Sequence, residues 1–364
     1  MLHAFAADSV FNGETWLDNH VVIVKERIVE DVVPRDGYKG AIKTFDNFFI
    51  APAFIDLQVY GSGGKLFSVY PEAKTLELMR SDFEKTGTVL FLPTVATNTI
   101  EVFKKSIDAV RDYWKNGGAG VPGIHLEGPW LNADKRGAHS EENIRIPSEA
   151  EVRELLQYGR GVIKMITIAP EVFSSEQIRE ISEQGIILSA GHSNATYEQA
   201  MTAFDGGVKS VTHLYNAMSS LQHRAPGLVG ASFMHPKVMA SIIPDRYHVD
   251  YAAIKIARKM MGERLFAITD AVTETSTGPY QHHLVGDKYE CNGVLSGSAL
   301  SMHKAFRNLV QHCGIEVEEA LRMCSFYPSR LLGLEKQYGV IHRGANAKLL
   351  VLSKNLDFVE LITG

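Results

Sequence analysis

GIHLEGPWLN, residues 123–132, is the stretch of this sequence that decides its fold. It is a short apolar run that ends in the carboxylate of Glu127 and is broken at once by Gly128-Pro129. A carboxylate at the end of a buried strand is costly unless a positive or hydrogen-bonding group lies opposite it. Barrels of parallel strands collect their catalytic side chains at such strand ends. The segment therefore predicts a buried strand that delivers an acid to a functional site.

Three later apolar runs also end in side chains suited to bind or use a metal ion. They are ILSAGH (residues 187–192), SVTH (residues 210–213) and LFAITD (residues 265–270), which end in His192, His213 and Asp270. Imidazole and carboxylate are common ligands of catalytic metal ions. One such group at the end of each of several strands is how a parallel barrel assembles a metal-dependent hydrolase.

The chain around these runs alternates short apolar segments with longer amphipathic ones, which predicts parallel strands joined by crossover helices. The predicted helices include Ala73–Thr86, Ile100–Lys115 and Ser174–Gln184. The predicted strands are Phe54–Val59, Val89–Pro93, Gly123–Glu127, Ile163–Ile168, Ile186–Ala190, Ser210–His213, Val238–Ile243 and Leu265–Thr269. Eight strand–helix units in sequence predict an α/β protein with a (β/α)₈ TIM-like barrel.

Both ends of the chain have a different pattern from the barrel. Near the amino terminus, Val21–Val24, Arg27–Val33 and Phe48–Ile50 are β-branched or aromatic runs separated by turn formers. Near the carboxyl terminus, Gly339–Leu352 has the pattern of paired strands around a turn. We expect both ends to form one small flanking β-sandwich, made of residues 1–51 and 336–364, beside a barrel of residues 52–335.

Composition excludes several kinds of partner. Of 364 residues, 45% are hydrophobic and 22% charged, and the net charge is −5 with no long basic block. Nothing indicates binding to nucleic acid or to a membrane surface, and an anionic substrate needs a local positive site. The cysteines are odd in number and widely spaced, the amino terminus has no export signal, and no apolar run approaches the about 20 residues of a membrane helix. We expect a cytoplasmic protein.

The first hypothesis from the residues alone is a metal site of Glu127, His192 and His213, contributed by strands three, five and six. A single histidine in a chain with 14 of them is as often structural as functional. The case rests on three independent strand ends that all carry metal-ligand side chains.

Asp270 is interpreted as a general base and acid, because the residues that follow it have the composition of a loop. The alternative is an Asp that caps the next helix. His139, on a polar loop after strand three, could polarise a substrate carbonyl, although a histidine on such a loop is usually inert.

The loop after strand six contains the clearest anion-binding candidates. Asn216 and nearby backbone N–H groups could hold an anion, with Arg224 as a forked cation, although a surface arginine is an alternative. Arg246 and His248, after strand seven, are further polar candidates. The glycine-rich residues 61–64 fit either a phosphate nest or a simple turn.

Taken together, the sequence closely resembles the N-acetylglucosamine-6-phosphate deacetylases of the amidohydrolase superfamily. The resemblance runs from Pro52 to the C-terminal strands. Its motifs are HLEGP (residues 125–129), GHSNA (residues 191–195), THLYNAM (residues 212–218) and TDA (residues 269–271). Each motif is weak alone, and the four in this order are specific.

The resemblance implies a role for each candidate residue. Glu127, His192 and His213 hold a divalent metal ion, which is zinc, iron or cobalt. Asp270 is the acid and base, and His139 contacts the acetamido carbonyl. The sugar phosphate is held by Asn216, the Ala217 backbone, His248 and an arginine matching Arg224, which in this family reaches across a homodimer interface.

One departure from the superfamily pattern concerns the number of metal ions. Many members carry His-x-His at the end of strand one, where this chain has Gln58 and Tyr60. An amide and a phenol are poor substitutes for two imidazoles, so we expect one ion per subunit.

The resulting expectation is a hydrolase of a linear amide that converts N-acetyl-D-glucosamine 6-phosphate to D-glucosamine 6-phosphate and acetate in amino-sugar metabolism. Water activated by the ion attacks the amide carbonyl, and Asp270 acts first as base and then as acid. The alternatives are the galactosamine or mannosamine epimer as substrate, a cyclic amidohydrolase or nucleobase deaminase, and a non-catalytic barrel.

Overall fold

The segments predicted as barrel strands lie side by side in one sheet, in a computed structural model that describes residues 2–364. The strands are β1 (Leu2–Phe11), β2 (Trp16–Asp18), β3 (His20–Lys25), β4 (Ile28–Pro34), β5 (Lys43–Pro52), β6 (Phe54–Val59), β7 (Gly61–Ser62), β8 (Lys65–Leu66), β9 (Thr88–Ala96), β10 (Ile124–Glu127), β11 (Ile163–Ile168), β12 (Ile187–Ala190), β13 (Val208–Val211), β14 (Met239–Ile242), β15 (Leu265–Ala267), β16 (His283–Val285), β17 (Lys288–Cys291), β18 (Val294–Ser298), β19 (Leu349–Ser353) and β20 (Phe358–Ile362). The α-helices are α1 (Ala73–Glu84), α2 (Ile100–Lys115), α3 (Glu149–Tyr158), α4 (Ser175–Glu183), α5 (Tyr197–Asp205), α6 (Gly227–Met234), α7 (Tyr251–Met261), α8 (Met302–Gln311), α9 (Val317–Cys324) and α10 (Phe326–Leu331).

The barrel sheet follows the order of the sequence. Its strands are arranged β15-β14-β13-β12-β11-β10-β9-β6, and helices α1 to α7 connect successive strands. Its two ends are joined beyond β15, where the Asp270 N–H donates to Gln58 O over 3.0 Å and the Tyr60 N–H donates to Ala271 O over 2.9 Å. The sheet thus closes on itself, and the predicted (β/α)₈ barrel is confirmed.

Several crossover helices begin at caps that can be read in the sequence. The Thr99 side chain accepts a hydrogen bond from the third residue of α2, and Ser174 with Gln177 forms a capping box at the start of α4. Such caps satisfy backbone N–H groups that have no partner inside a helix. They explain why the predicted bounds of these two helices agree closely with the structure.

The barrel interior contains a chain of polar side chains below the ends of the strands. His125 is fully buried; its Nδ1–H donates to Leu57 O over 3.1 Å, and its Nε2 lies 2.8 Å from Thr167 Oγ1. Thr167 and Ser189 each contact Thr212 Oγ1, at 2.7 and 2.6 Å. Because every one of these polar groups has a partner, their burial carries no large penalty.

The two termini build a separate sheet, as predicted. Its order is β20-β19-β5-β1-β3-β4, with β2 paired to β1. Alternate residues of β3 pack into two different clusters: Val22 and Val24 on one side, Val21 and Ile23 on the other. Since side chains alternate across a strand, both faces of this sheet are covered by apolar groups.

The prediction of paired strands over Gly339–Leu352 was partly wrong. Only Leu349–Ser353 is a strand, and its hairpin partner is Phe358–Ile362, further along the chain. The preceding residues run through turns, with Gly339 and Gly344 in the left-handed region, at φ 77° and 90°. Backbone in that conformation cannot continue a strand.

The chain divides into two compact units. One contains the residues up to Asp56 together with Phe83–Val89 and Ser301–Gly364, and the other contains Leu57–Asp82 and Leu90–Leu300. The domain boundaries at residues 52 and 336 stay a prediction. Across residues 2–364, no helix has the length and hydropathy needed to cross a membrane.

The buried imidazole of His125 predicts a loss of stability in mild acid. Burial lowers its pKa to about 4 from the ordinary 6.5. The unfolded chain therefore takes up a proton at this residue at a higher pH than the folded chain does. As the pH falls from 6.5 to about 4, stability is lost, by at most about 3 kcal/mol from this residue.

The measurement is urea unfolding of the chelator-treated protein at several pH values. His125→Gln keeps an amide donor and acceptor but has no proton to gain, so its free energy of unfolding should depend less on pH. An equally steep loss in the variant would contradict the assignment.

Candidate active site

The predicted metal ligands and the predicted acid lie at the same edge of the barrel. Glu127 is the last residue of β10, His192 and His213 follow β12 and β13 by two residues, and Asp270 follows β15 by three. All four side chains are buried. Because the strands are parallel, their carboxyl ends meet at one end of the barrel, and residues far apart in sequence come together there.

Three of these residues have unusual backbone conformations. His192, His213 and Asp270 have φ values of 48°, 35° and 54°, in the left-handed region that side chains other than glycine rarely adopt. Hydrogen bonds hold this conformation: the His213 N–H donates to Ser241 Oγ over 2.8 Å, and Asp270 is tied through its N–H to β6. Such strain is typical of functional sites, where the surrounding structure enforces it.

The donor atoms of Glu127, His192 and His213 form a tight triangle. Glu127 Oε1 lies 3.1 Å from His213 Nε2 and 3.4 Å from His192 Nε2, and the two Nε2 atoms are 3.0 Å apart. Ligands at about 2.0–2.1 Å from a tetrahedral zinc ion lie about 3.3–3.4 Å from one another. The spacing and chemistry of this buried Glu-His-His group fit a divalent metal site.

The protonation of His192 agrees with a ligand role. Its Nδ1 lies 2.9 Å from Lys135 O, and because a carbonyl only accepts, Nδ1 carries the proton. Burial lowers the pKa of His192 to about 4, so the ring is neutral and the Nε2 lone pair faces the triangle. A backbone carbonyl that fixes the tautomer in this way is common around metal sites. His213 Nδ1, by contrast, has no partner among the described residues.

In His139, unlike in His192, Nδ1 accepts hydrogen bonds and Nε2 carries the proton. The Thr97 N–H donates to His139 Nδ1 over 3.3 Å, and the Thr97 hydroxyl lies 2.8 Å from the same atom. Nδ1 therefore accepts, and Nε2, 3.2 Å from Glu127 Oε2, carries a proton. Glu127, His139 and His192 also lie close enough to form a metal-binding group. The proton on Nε2 makes His139 a hydrogen-bond donor to Glu127. His213 as the third ligand stays a prediction.

The charges of the two carboxylates are controlled differently. Burial acts against an ionised Glu127, but His139, His192 and His213 outweigh it and hold the pKa of Glu127 well below its usual value. Burial raises the pKa of Asp270, and the charge of Glu127 acts in the same direction. Burial also opposes charge on His213, yet its hydrogen bond to Glu127 raises the pKa of His213. A charged Glu127 suits the role of a metal ligand. A neighbouring Asp270 with a raised pKa suits the role of a group that takes up and releases a proton.

Gln58 and Tyr60 lie within this cluster. The Gln58 Nε2 group is 3.0 Å from Glu127 Oε1 and 2.7 Å from Asp270 Oδ1, and the Tyr60 hydroxyl is 2.5 Å from Glu127 Oε2. Burial raises the pKa of Tyr60 well above its usual value, so the phenol keeps its proton and donates it.

A cavity of about 230 Å³ opens above the cluster. Besides the residues already described, Asn216, Ala217 and His248 line it. Their role as substrate contacts stays a prediction. The His248 ring is held by Asp245 Oδ2, 2.6 Å from Nδ1. Arg224 is exposed and does not line the cavity, and the lining includes no lysine or arginine from residues 2–364.

One wall of the cavity was not anticipated from the sequence. The antiparallel strands β16, β17 and β18 follow β15, and Tyr280 and His282, just before them, line the cavity. Asp270 therefore caps no helix, which removes that alternative. Asn292-Gly293, with φ 52° and 76°, forms the turn between β17 and β18 and is a hairpin signal in the sequence. Residues 61–64 likewise form the hairpin of β7 and β8 rather than a nest.

Comparison with known proteins agrees with this geometry. A profile of the amidohydrolase family matches residues 49–362, which include all barrel strands and part of the terminal sheet. The chain belongs to the amidohydrolase family.

Individual members of the amidohydrolase family match the chain over nearly its full length. The N-acetylglucosamine-6-phosphate deacetylase of Haemophilus influenzae is 33% identical, covering 95% of this chain and 94% of its own. The N-acetylgalactosamine-6-phosphate deacetylase of Escherichia coli O157:H7 is 30% identical, covering 99% and 98%. The crystal structure of N-acetylglucosamine-6-phosphate deacetylase from Pasteurella multocida is 32% identical, with a TM-score of 0.94 over 100% of this chain and 99% of that one.

The triangle of donor atoms predicts the effect of removing one ligand. His213→Asn should lower the affinity for Zn²⁺ at least about 100-fold, because a three-ligand site loses one of its imidazoles. The measurement is titration of chelator-treated protein with Zn²⁺ against a competing indicator. His235→Gln is the matched control, since His235 is a buried histidine outside the cavity lining. Equal Zn²⁺ affinity of His213→Asn and the unmodified protein would contradict the proposed ligand set.

Proposed function

We propose that this chain hydrolyses N-acetyl-D-glucosamine 6-phosphate to D-glucosamine 6-phosphate and acetate. The observation that carries the proposal is the triangle of Glu127, His192 and His213 beside Asp270. The near full-length relative from Haemophilus influenzae is named for this reaction. A cavity of about 230 Å³ at the same edge of the barrel has room for a small substrate.

Glu127, His192 and His213 would hold one divalent metal ion. When bound, the ion lowers the pKa of water and polarises the amide carbonyl of the substrate. The donor set suits zinc, and iron or cobalt would also be accepted. One ion per subunit fits the chain, because Gln58 and Tyr60 supply no further imidazole at the end of β6.

Asp270 would carry the proton through the reaction. It accepts a proton from water as the water oxygen bonds to the amide carbon, and it returns this proton to nitrogen as the carbon–nitrogen bond breaks. Burial, which raises the pKa of Asp270, brings the carboxyl nearer to the range in which it can do both.

His139 would stabilise the negative charge that develops on the carbonyl oxygen. Its Nε2 carries a proton and lies 3.2 Å from Glu127 Oε2, its side chain lines the cavity, and Thr97 holds its other nitrogen. A preorganised donor of this kind stabilises the transition state more than the substrate. The apolar side chains of Leu66, Ala96 and Val272 line the same cavity and suit the acetyl methyl group.

The phosphate would be held partly by a second copy of this chain. Asn216, the Ala217 backbone and His248 line the cavity, but neither lysine nor arginine does so among the described residues. A dianionic phosphate in a protein of net charge −5 needs a local cation. We propose a homodimer in which Arg224, exposed in one subunit, reaches the site of its partner. Three free, buried cysteines agree with a reducing, cytoplasmic setting.

The proposal predicts acetate release that depends on Asp270. The zinc-loaded protein should release acetate from N-acetyl-D-glucosamine 6-phosphate, and Asp270→Asn should lower kcat at least about 1000-fold, because a general acid and base is lost. Zinc content should be nearly unchanged, since Asp270 is not among the three ligands. A variant with the original kcat would contradict the role of Asp270, and an inert zinc-loaded protein would restore the non-catalytic alternative.

The galactosamine epimer is the second candidate substrate, because the Escherichia coli relative acts in name on that sugar. The two substrates differ in the orientation of one hydroxyl group, so values of kcat/KM measured on one preparation decide between them. We expect the glucosamine derivative to be preferred. A higher kcat/KM for the galactosamine derivative would reassign the substrate and leave the chemistry of the site unchanged.

The proposed sharing of the phosphate site predicts complementation between two impaired variants. Arg224→Ala should lower kcat/KM about 10–100-fold, the loss expected for a charged hydrogen bond. Co-expression with Asp270→Asn should restore about a quarter of the original activity, because half of the random dimers contain one intact site. If Arg224 acted within its own subunit, the mixed dimers would contain no intact site and activity would not return.

A further inference from the structure

We propose that Gln58 and Tyr60 act together as positioning residues that hold the carboxylates of Glu127 and Asp270 in their working orientations. The proposal rests on the proposed function in assigning Asp270 to proton transfer. It assigns a role to Gln58 and Tyr60, which were so far discussed only because they replace the two histidines that bind a second metal ion in many superfamily members.

The contacts form a closed network at the end of β6. Gln58 Nε2 lies 2.7 Å from Asp270 Oδ1, 3.0 Å from Glu127 Oε1 and 2.8 Å from the Tyr60 hydroxyl. That hydroxyl lies 2.5 Å from Glu127 Oε2 and 3.2 Å from Asp270 Oδ1. Gln58 and Tyr60 are two residues apart on one strand and so point to the same side of the sheet.

The chemistry of the donors determines the direction of these hydrogen bonds. Ionised carboxylates only accept, so the Gln58 side chain must present its NH₂ group, with two protons, to them. The Tyr60 hydroxyl has one proton, and its shortest contact is to Glu127 Oε2. The network therefore supplies three protons to two buried carboxylates, without adding a positive charge.

The two carboxylate oxygens of Asp270 differ in their contacts with the network. Gln58 donates to Oδ1 over 2.7 Å and the Tyr60 hydroxyl lies 3.2 Å from the same oxygen, whereas Oδ2 receives no hydrogen bond from the described residues. Asp270 also lines the cavity. Oδ2 is thus the oxygen left to take up and return the proton, and the side chain cannot turn without breaking the hydrogen bond from Gln58 to Oδ1.

For Glu127, the network separates the oxygens in a similar way. Oε2 is engaged by Tyr60 and His139, whereas Oε1 faces the imidazoles of His192 and His213 and accepts from Gln58. Tyr60 therefore favours a single oxygen of Glu127 at the metal position. Groups that orient ligands in this manner are commonly worth 10–100-fold in metal affinity or activity.

The test measures metal binding and turnover in Tyr60→Phe and Gln58→Met, which remove the donors and keep the size of the side chain. In each variant the Kd for Zn²⁺ of chelator-treated protein should rise about 10-fold, and kcat of the zinc-loaded enzyme should fall about 10–100-fold. KM for the sugar phosphate should stay within about twofold, because neither residue is assigned to phosphate binding. The double variant should cost little more than the more severe single one, since the two residues act as a unit.

Tyr113→Phe is the matched control. Tyr113 is a buried tyrosine on α2 whose hydroxyl donates to Ala119 O, and it does not line the cavity. Its Kd for Zn²⁺ and its kcat should equal those of the unmodified protein.

Each outcome decides the proposal. Unchanged Kd for Zn²⁺ and unchanged kcat in both variants would overturn it, even if the melting temperature fell, because the network would then be purely structural. A raised Kd with an unchanged kcat would overturn the part that concerns Asp270. If the unmodified protein released no acetate, the proposed function would fail, while the Zn²⁺ titrations would still decide whether Gln58 and Tyr60 hold Glu127.

Discussion

The buried carboxylate of Glu127 is the constraint on which the site depends. An ion of this kind loses several kcal/mol when it leaves water, and it is tolerated only with charged or hydrogen-bonding partners at close range. Glu127 is 1% exposed, and its partners are His139, His192, His213, Gln58 and Tyr60. They come from the ends of different strands and from the loop after β10. The charge of one side chain is therefore balanced only when the barrel is closed.

Closure of the barrel also accounts for the strained backbone at the site. Left-handed conformations at His192, His213 and Asp270 turn each side chain inward just past the end of its strand. Each of these conformations costs about 1–3 kcal/mol. The hydrogen bonds across neighbouring strands, such as that from the Asp270 N–H to Gln58 O, offset that cost. The closed barrel thus supplies the free energy that holds these three side chains in position.

The side chains that line the cavity suit the chemical step rather than the binding of an anion. Imidazole, amide, phenol and carboxylate groups crowd around the metal position, whereas the lining from residues 2–364 contains no lysine or arginine. A permanent cation close to Glu127 and Asp270 would compete with the metal ion and hold Asp270 in its charged form. Placing the cation for an anionic substrate outside the immediate cavity avoids this competition.

The hairpin strands β16 to β18 explain the largest gap between sequence and structure. They replace a helix after β15 and bring Tyr280 and His282 to the cavity, which the strand–helix pattern did not predict. The Asn292-Gly293 turn was a local signal for them. At the other end, the pairing of Leu349–Ser353 with Phe358–Ile362 was missed, because the turns before residue 349 contain β-branched residues that have the composition of a strand.

The sequence by itself determined the barrel and the candidate residues of its site. Apolar runs of strand length set the sheet, and the parallel arrangement places the side chain that ends each run at one edge. Glu127, His192, His213 and Asp270 could therefore be named as candidates from the ends of these runs. Only the tertiary structure decided which atoms meet. The tautomers of His139 and His192, the oxygen of Asp270 held by Gln58 and Tyr60, and the absence of Arg224 from its own cavity in residues 2–364 all depend on contacts between distant segments. No local pattern encodes such contacts, because hydrogen-bond geometry is set by distances of a few tenths of an ångström after the barrel has closed.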